Sequence, residues 1–323
     1  MEPSTLKKLF LRLGVLLIAV WLPILLLNGA YVRTEHFRTE NGVADYVDVP
    51  MDLDLVNTGS SHGKYAFRYD GLADVTGFNL AMEAQPFLYD FAMLKEFSNH
   101  LHPGSIVLLS VSSESFHRHS GTTPQIRPRY YRILSRRNHP EYHVGEALRH
   151  SLLPVLGAGR NIKAIWYDST CGNDAFLYAS LGSSTPDALL QLARIRHKDR
   201  EVVVIAQSND KIQEDNMKLL ESMVNACWAS NWVPVLVNLP FIRALNELDD
   251  ASFRSAFNRR LEEVRSVSGN PLLLDYSNDP RFVDSPELFA DADHLNAKGA
   301  ALLTAQVVAD LRERHLLPSH PHD

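Results

Sequence analysis

Two short stretches, more than two hundred residues apart in the chain, hold the side chains that could do chemistry. In Val56-Asn57-Thr58-Gly59-Ser60-Ser61-His62-Gly63 a short apolar strand runs into a tight turn bearing two hydroxyls, with glycines giving backbone freedom on either side. A serine at such a corner exposes its Oγ, and the amides of the following helix face a developing oxyanion. Read alone, the turn is either a nucleophile or a Gly-Ser cap for a helix beginning near Lys64. The second stretch is Asp291-Ala292-Asp293-His294-Leu295-Asn296. A serine hydroxyl is a weak nucleophile near neutral pH; it needs a base within hydrogen-bond reach and a carboxylate to orient that base. His294 and Asp291 fit those parts, because on a turn entering a helix the carboxylate can fold back onto Nδ1 while Nε2 faces the sheet edge. Asp293 is adjacent to the histidine, points elsewhere, and is expected to cap the helix starting near Asn296. This stretch alone also reads as a capping loop, and only the combination argues for a nucleophile with its base.

The elements between the two stretches must bring them together. Leu55-Val56 predicts a first strand and Val75 to Leu80 a second, followed by a helical pattern through Ala84, Phe87, Leu88, Phe91 and Leu94. Ser105 to Val111 is a near-continuous apolar run, as a strand covered on both faces requires. Glu201 to Ala206 reads as a short strand or the edge of a helical segment, Ile212 to Ala229 as a helix, and Val233 to Pro240 as the clearest later strand. A helix over Phe253 to Val267, a last strand over Pro271 to Tyr276 and an amphipathic helix over Asn296 to His315 complete the pattern. Strands separated by helices predict a three-layer α/β domain: a parallel sheet with right-handed crossovers and helices on both faces. Ligands on such sheets bind beyond the carboxyl ends of the strands, which is where Ser61 falls.

Gly59-Ser60-Ser61-His62 after a first strand, with Asp291-x-x-His294-Leu295-Asn296-x-x-Gly299 before a C-terminal helix, resembles the SGNH/GDSL hydrolase superfamily, a flavodoxin-like fold. The agreement runs over most of Asp54 to Leu316. The resemblance implies Ser61 as nucleophile, with Ser60 in the place usually held by Asp, and His294 and Asp291 completing the triad. It implies oxyanion donors from the Ser61 amide, from Ala84 where the family has a glycine, and from Ser113, since Ser112-Ser113-Glu114 stands where the family has an asparagine. The layout is most similar to the membrane-anchored cell-envelope branch, which includes proteins like the D-alanine transfer protein of teichoic acid modification and the alginate acetylation proteins. That implies moving an acyl group, most simply acetyl, on or off an envelope or secreted polysaccharide, with a membrane-bound acyltransferase as an implied partner. The opposing reading is an inactive scaffold of the same fold that binds polymer or such a partner.

Leu13 to Val32 carries no charge and is long enough to cross a membrane, with Lys7, Lys8 and Arg12 before it. Cationic flanks stay in the cytoplasm, so residues 1–12 are expected as a cytoplasmic tail, 13–32 as a transmembrane helix, 33–52 as a polar stalk and 53–317 as the folded domain outside. By the resemblance this is a single-pass protein of a bacterial inner membrane with a periplasmic domain. A cleaved signal peptide is the rival, although Asn28-Gly29-Ala30 makes a poor cleavage site. The 323 residues carry a formal net charge of −6, which argues against nucleic acid as a partner. Residues 113–162 break the pattern with four prolines and read as an insertion or cap. From Arg118 to Lys163 there are nine Lys/Arg against Glu141 and Glu146, a surplus suited to an anionic glycan, to acidic lipid headgroups, or only to solubility. His117, His119, His139 and His143 lack tight ligand spacing, so neither metal nor cofactor is expected. His62 reads as a substrate contact or a polar helix start. Asp168 to Asp174 reads as a loop. Cys171 and Cys227 could form a single bridge or stay free.

Overall fold

The computed structural model describes residues 3–118, 121, 126–166, 186–207 and 209–318. The strands are β1 (Leu53–Thr58), β2 (Gly77–Asn79), β3 (Leu101–Val111), β4 (Val233–Asn238) and β5 (Leu272–Asp275). The α-helices in chain order are α1 (Pro3–Tyr31), α2 (Glu35–Thr39), α3 (Ser61–Ala66), α4 (Phe87–Glu96), α5 (Tyr130–Ile133) and α6 (Val144–Leu152). After them come α7 (Pro186–Gln207), α8 (Asp210–Ala229), α9 (Arg243–Leu248), α10 (Ala251–Val267), α11 (Pro280–Val283) and α12 (Ala297–Glu313). The chain divides into two compact units, one of residues 1–47, 128–133 and 142–173, the other of residues 48–127, 134–141 and 174–323. The stretch expected as an insertion is therefore shared: 128–133 and 142–162 cluster with the N-terminal segment, and the remainder with the sheet.

In the second unit the five strands are all parallel, in the order β2-β1-β3-β4-β5. This is a doubly wound order, in which the chain leaves β1 toward one edge for β2 and toward the other for β3, β4 and β5. Composition explains who sits in the middle. Ile106 to Val111 of β3 and Pro234 to Asn238 of β4 are buried throughout, as strands covered on both faces must be, whereas three-residue β2 and four-residue β5 are only partly buried. Leu55, Ile106, Leu108, Val235 and Val237 point to one face, where Leu303, Val307, Val308 and Leu311 of α12 and Leu189 and Ala193 of α7 cover them. The intervening Val56, Val107, Leu109 and Leu236 are equally buried, and α4 and α8 pack against the strands with α10 behind α8.

The run Glu201 to Ala206 is not a strand; it lies in α7. Arg196 and Arg200 need one helical face to reach their partners described below, and the helix that carries them from Pro186 runs on to Gln207. Strand β2 stops at Asn79, short of the expected Leu80, and α3 begins at Ser61 instead of near Lys64. Asp168 to Asp174, with Cys171, lies outside the described residues. Cys227 is a buried free thiol, and burial pushes its pKa up to about 12.

In the first unit α1 is long and apolar enough to cross a membrane, at about 1.5 Å per residue. The polar stretch 33–52 that follows is not featureless: it holds α2 and a 3₁₀ helix over Glu40–Tyr46. Tyr31 packs with Val155 and Ala158, and Ile24, Phe37, Ile162 and Ile165 close around them. The Asn28 side chain donates to the Leu152 carbonyl at 3.1 Å and accepts from the Val155 amide at 3.2 Å.

The start of α12 is fixed by an approach that only glycine permits. Asn296 caps it, its side chain accepting from the amides of Lys298 and Gly299 at 3.0 Å, while its own amide donates to the Leu288 carbonyl at 2.9 Å. A Cβ on Gly299 would overlap that same carbonyl oxygen, which is backbone and cannot swing away. Gly299→Ala should therefore destabilise the sheet unit by about 1–3 kcal/mol, lowering the thermal midpoint by roughly 2–4 °C per kcal/mol; an unchanged midpoint in calorimetry would contradict this packing.

Candidate functional site

The switch point between β1 and β3 opens at the carboxyl ends of the strands, and β1 feeds directly into the serines. Gly59 takes φ +139°, and a Cβ there would sit 2.9 Å from the Ser110 Cβ on β3, so the chain turns at the one residue able to do so. Ser60 occupies the N-cap position of α3 but makes no side-chain capping bond. Ser61 is thus the first residue of the helix, with its hydroxyl available. A buried amide pair holds the corner: Asn57 donates to the Gly63 carbonyl at 3.2 Å and to Asn79 Oδ1 at 2.8 Å, and Asn79 donates to the Lys64 carbonyl at 2.9 Å.

The structure brings Ser61, His294 and Asp291 together. His294 Nε2 lies 2.8 Å from Ser61 Oγ, and Nδ1 lies 2.9 and 3.0 Å from the two oxygens of Asp291. The carboxylate neighbours can only accept, so Nδ1 carries the proton and Nε2 accepts from the serine. Asp291 is itself fixed, accepting from the amides of Asp293 at 3.0 Å and His294 at 2.8 Å.

Asp293 does not cap α12; Asn296 does. Asp293 is instead buried beside the histidine, 3.3 Å from His294 Nδ1, and it accepts from the Arg196 Nε at 2.7 Å and from His62 Nε2 at 3.0 Å. Burial opposes its charge, and His294, His62 and Arg196 outweigh burial, holding the carboxyl well below its ordinary range. His62, expected as a substrate contact or a polar helix start, is likewise buried, with its ring 5.0 Å from Phe241 and 4.9 Å from His294. Desolvation lowers its pKa, so the ring is neutral. For His294 burial also disfavours the cation, but Asp293 and Asp291 more than offset it and raise the pKa above the usual imidazole value. The base is therefore primed to receive a proton.

Behind this lies a buried ion network that sequence reasoning missed. Arg200, one turn beyond Arg196 on α7, donates to Glu114 at 3.1 Å and to Asp249 at 2.9 Å and approaches Asp293 at 3.7 Å. Glu114 also pairs with Arg118 at 2.5 Å; burial works against its charge, yet Arg118 and Arg200 keep it ionised. The i, i+4 spacing of two arginines in a helix was the available signal, and the strand reading of the following residues hid it.

The two residues expected as oxyanion donors lie in these settings, the Ala84 segment beginning beside the corner, where the Met82 amide donates to the Gly59 carbonyl at 3.2 Å. Ala84 is exposed at φ +50°, in the left-handed region that favours glycine, and Ser113 lines a separate cavity with Asn238, Asn246, Asp249 and Ser277. The cleft next to Ser60 has about 30 Å³ of room for water and is lined by Ser110, Ser112, Asp90, Arg118 and Asn216 together with Phe87 and Leu239. Asp90 accepts from the Gly59 amide at 2.8 Å and from Gln85 at 2.7 Å; burial raises its pKa to about 7 despite those bonds.

His62, Asp293 and His294 form a cluster of potential metal-ligand atoms within 4.8 Å. The charge that a cation would supply there is already provided by Arg196 and Arg200, and His294 Nε2 is turned to the serine. His117 and His139 are buried and His143 is exposed, none of them in such a cluster among the described residues; His119 lies outside these. Chemically, the arrangement is a hydroxyl, an oriented base and two carboxylates: the parts of acyl transfer through an acyl-serine. No protein-family model matches the chain, and no curated protein matches it either.

Two outcomes test this electrostatic design. Arg200→Met should cost about 3–5 kcal/mol in chemical denaturation, because it strands two buried carboxylates, whereas Arg196→Met at its partly exposed position should cost less; equal, small effects would contradict the network. The carboxyl of Asp90 titrates higher folded than unfolded, so its stabilising contribution is complete below about pH 4 and is lost as pH rises through about 7. Asp90→Asn keeps both acceptor bonds without the charge, and its denaturation midpoint should accordingly gain on the parent's as pH climbs from about 4 to about 8.

Proposed function

We propose that this protein is an extracytoplasmic serine esterase or O-acyltransferase of the SGNH/GDSL kind, held to a membrane by α1 and acting on an acylated envelope or secreted polysaccharide. The observation that carries the reading is His294 standing between Ser61 and Asp291 with hydrogen bonds on both sides. Ser61 Oγ attacks the acyl carbonyl and passes its proton to His294 Nε2; Asp291 and Asp293 stabilise the imidazolium. The oxyanion faces the Ser61 amide at the first position of α3. Collapse of the tetrahedral intermediate breaks the ester bond, His294 returns the proton to the departing alcohol, and the acyl group remains on Ser61. Water or a sugar hydroxyl then takes the acyl group by the reverse sequence, with His294 as its base.

The cations Lys7, Lys8 and Arg12 at the N-terminal end of α1, ahead of its apolar run, support the orientation with the catalytic unit outside the cytoplasm. A membrane-bound acyltransferase is the acyl source this reading calls for if the reaction runs as transfer.

Ser61→Ala should abolish labelling by a serine-reactive fluorophosphonate and lower hydrolysis of a small acetyl ester at least about a thousandfold. If the parent protein neither labels nor hydrolyses the ester while remaining folded, the scaffold reading replaces the enzyme.

A further inference from the structure

In the unit that contains α1, helix α6 turns its apolar side outward. Val144, Leu148 and Leu152, at i, i+4 and i+8, are 56%, 54% and 63% exposed, and Leu156 and Trp166 continue the patch. Packing occurs on the other side: Ala147 is buried, Glu146 accepts from the Tyr131 hydroxyl at 3.0 Å, and His150 stacks on the Tyr131 ring. A helix of a water-soluble protein places such a stripe against its core. Here the order is reversed.

We propose that α6 lies in the outer headgroup boundary of the bilayer that α1 crosses, its Val144-Leu148-Leu152 stripe in lipid, so that the protein grips the membrane at two places. This rests on the anchor reading of α1. Depth supports it first. Asn28 bonds the backbone at both Leu152 and Val155, and it stands four residues before the end of the apolar run at Val32. At about 1.5 Å per residue the Leu152 backbone is therefore about 6 Å inside the outer limit of that run, within the roughly 5–10 Å that interfacial helices reach.

Continuity is the second support. The segment after α6 is seated on α1 itself, through Tyr31 against Val155 and Ala158 with Ile24 alongside, so any bilayer around α1 meets it. Charge is the third. Arg149 and Lys163 are exposed cations close in sequence to the stripe, and from Tyr142 to Trp166 Glu146 is the only carboxylate. Long basic side chains reach outward from such a depth to anionic headgroups, and a tryptophan suits the same level.

The test uses the full chain in nanodiscs of phosphatidylethanolamine and phosphatidylglycerol, with an environment-sensitive dye on single cysteines. A Cys171→Ser parent serves, since buried Cys227 is unreactive. Dyes at Leu148→Cys and Leu152→Cys should be quenched by doxyl-labelled lipid and shielded several-fold from aqueous iodide relative to one at exposed Lys218→Cys; Leu17→Cys reports on α1. Iodide quenching at 148 and 152 equal to that at 218, with 17 still lipid-quenched, overturns the α6 proposal alone. Shielding of 148 and 152 from both quenchers overturns it in favour of a protein contact. Absence of lipid quenching at 17 overturns the anchor, and this proposal with it.

Discussion

A buried carboxylate that water cannot reach must be neutralised by its neighbours, and the arrangement around Asp293 follows from that requirement. Its side chain is almost wholly enclosed, so it recruits Arg196, His62 and His294 within 3.3 Å and draws Arg200 to 3.7 Å. Arg200 in turn needs anions of its own, and finds Glu114 just beyond β3 and Asp249 at the end of α9. The consequence is mechanical as well as electrostatic. One connected set of charges ties the loop before α12, the start of α3, the end of β3 and the middle of α7 to one another, which fixes the distance between Ser61 and His294.

The two aspartates beside the histidine divide the work. Asp291 is hydrogen-bonded to its own loop and to Nδ1, so it sets the tautomer and the plane of the ring. Asp293 is farther from Nδ1 and already engaged by two other donors, so its effect on His294 is mainly the field of a charge in a low-dielectric place. The two neighbouring histidines differ for the same reason. His62 gives its hydrogen bond to Asp293 and is left neutral by burial, whereas His294 lies between both carboxylates and is raised. A proton arriving from a serine thus has one favourable destination.

The meeting of Ser61, His294 and Asp291 was legible because each sits in a short local motif whose spacing carries the geometry, and β3 and β4 were legible because strands covered on both faces must be largely apolar. What escaped detection depended on distant partners. Nothing next to Asp293 in sequence announces arginines almost a hundred residues earlier, so a cap was the natural local reading. The β-branched residues after Arg200 favour a strand by propensity, yet the helix that holds the paired arginines runs through them. The Asn57 and Asn79 pair, one residue on each of two neighbouring strands, became meaningful only once β1 and β2 were in register.

The position of Ser61 follows from the order of the strands. A chain that leaves β1 in one direction for β2 and in the other for β3 opens a crevice at the carboxyl ends of β1 and β3, with α3 after β1 on one face and α8 before β4 on the other. Gly59 turns into that crevice, and its neighbour across the gap is Ser110 of β3, near enough to exclude any side chain at 59. The hydroxyls of Ser60, Ser110 and Ser112 consequently collect at one place, and Ser61, one residue further, is rotated by the first turn of α3 toward the loop that carries His294. Lengthening that turn by one residue would swing Ser61 about 100° around the helix axis and break its contact with His294, so the brevity of the link between β1 and α3 is itself a condition of that contact.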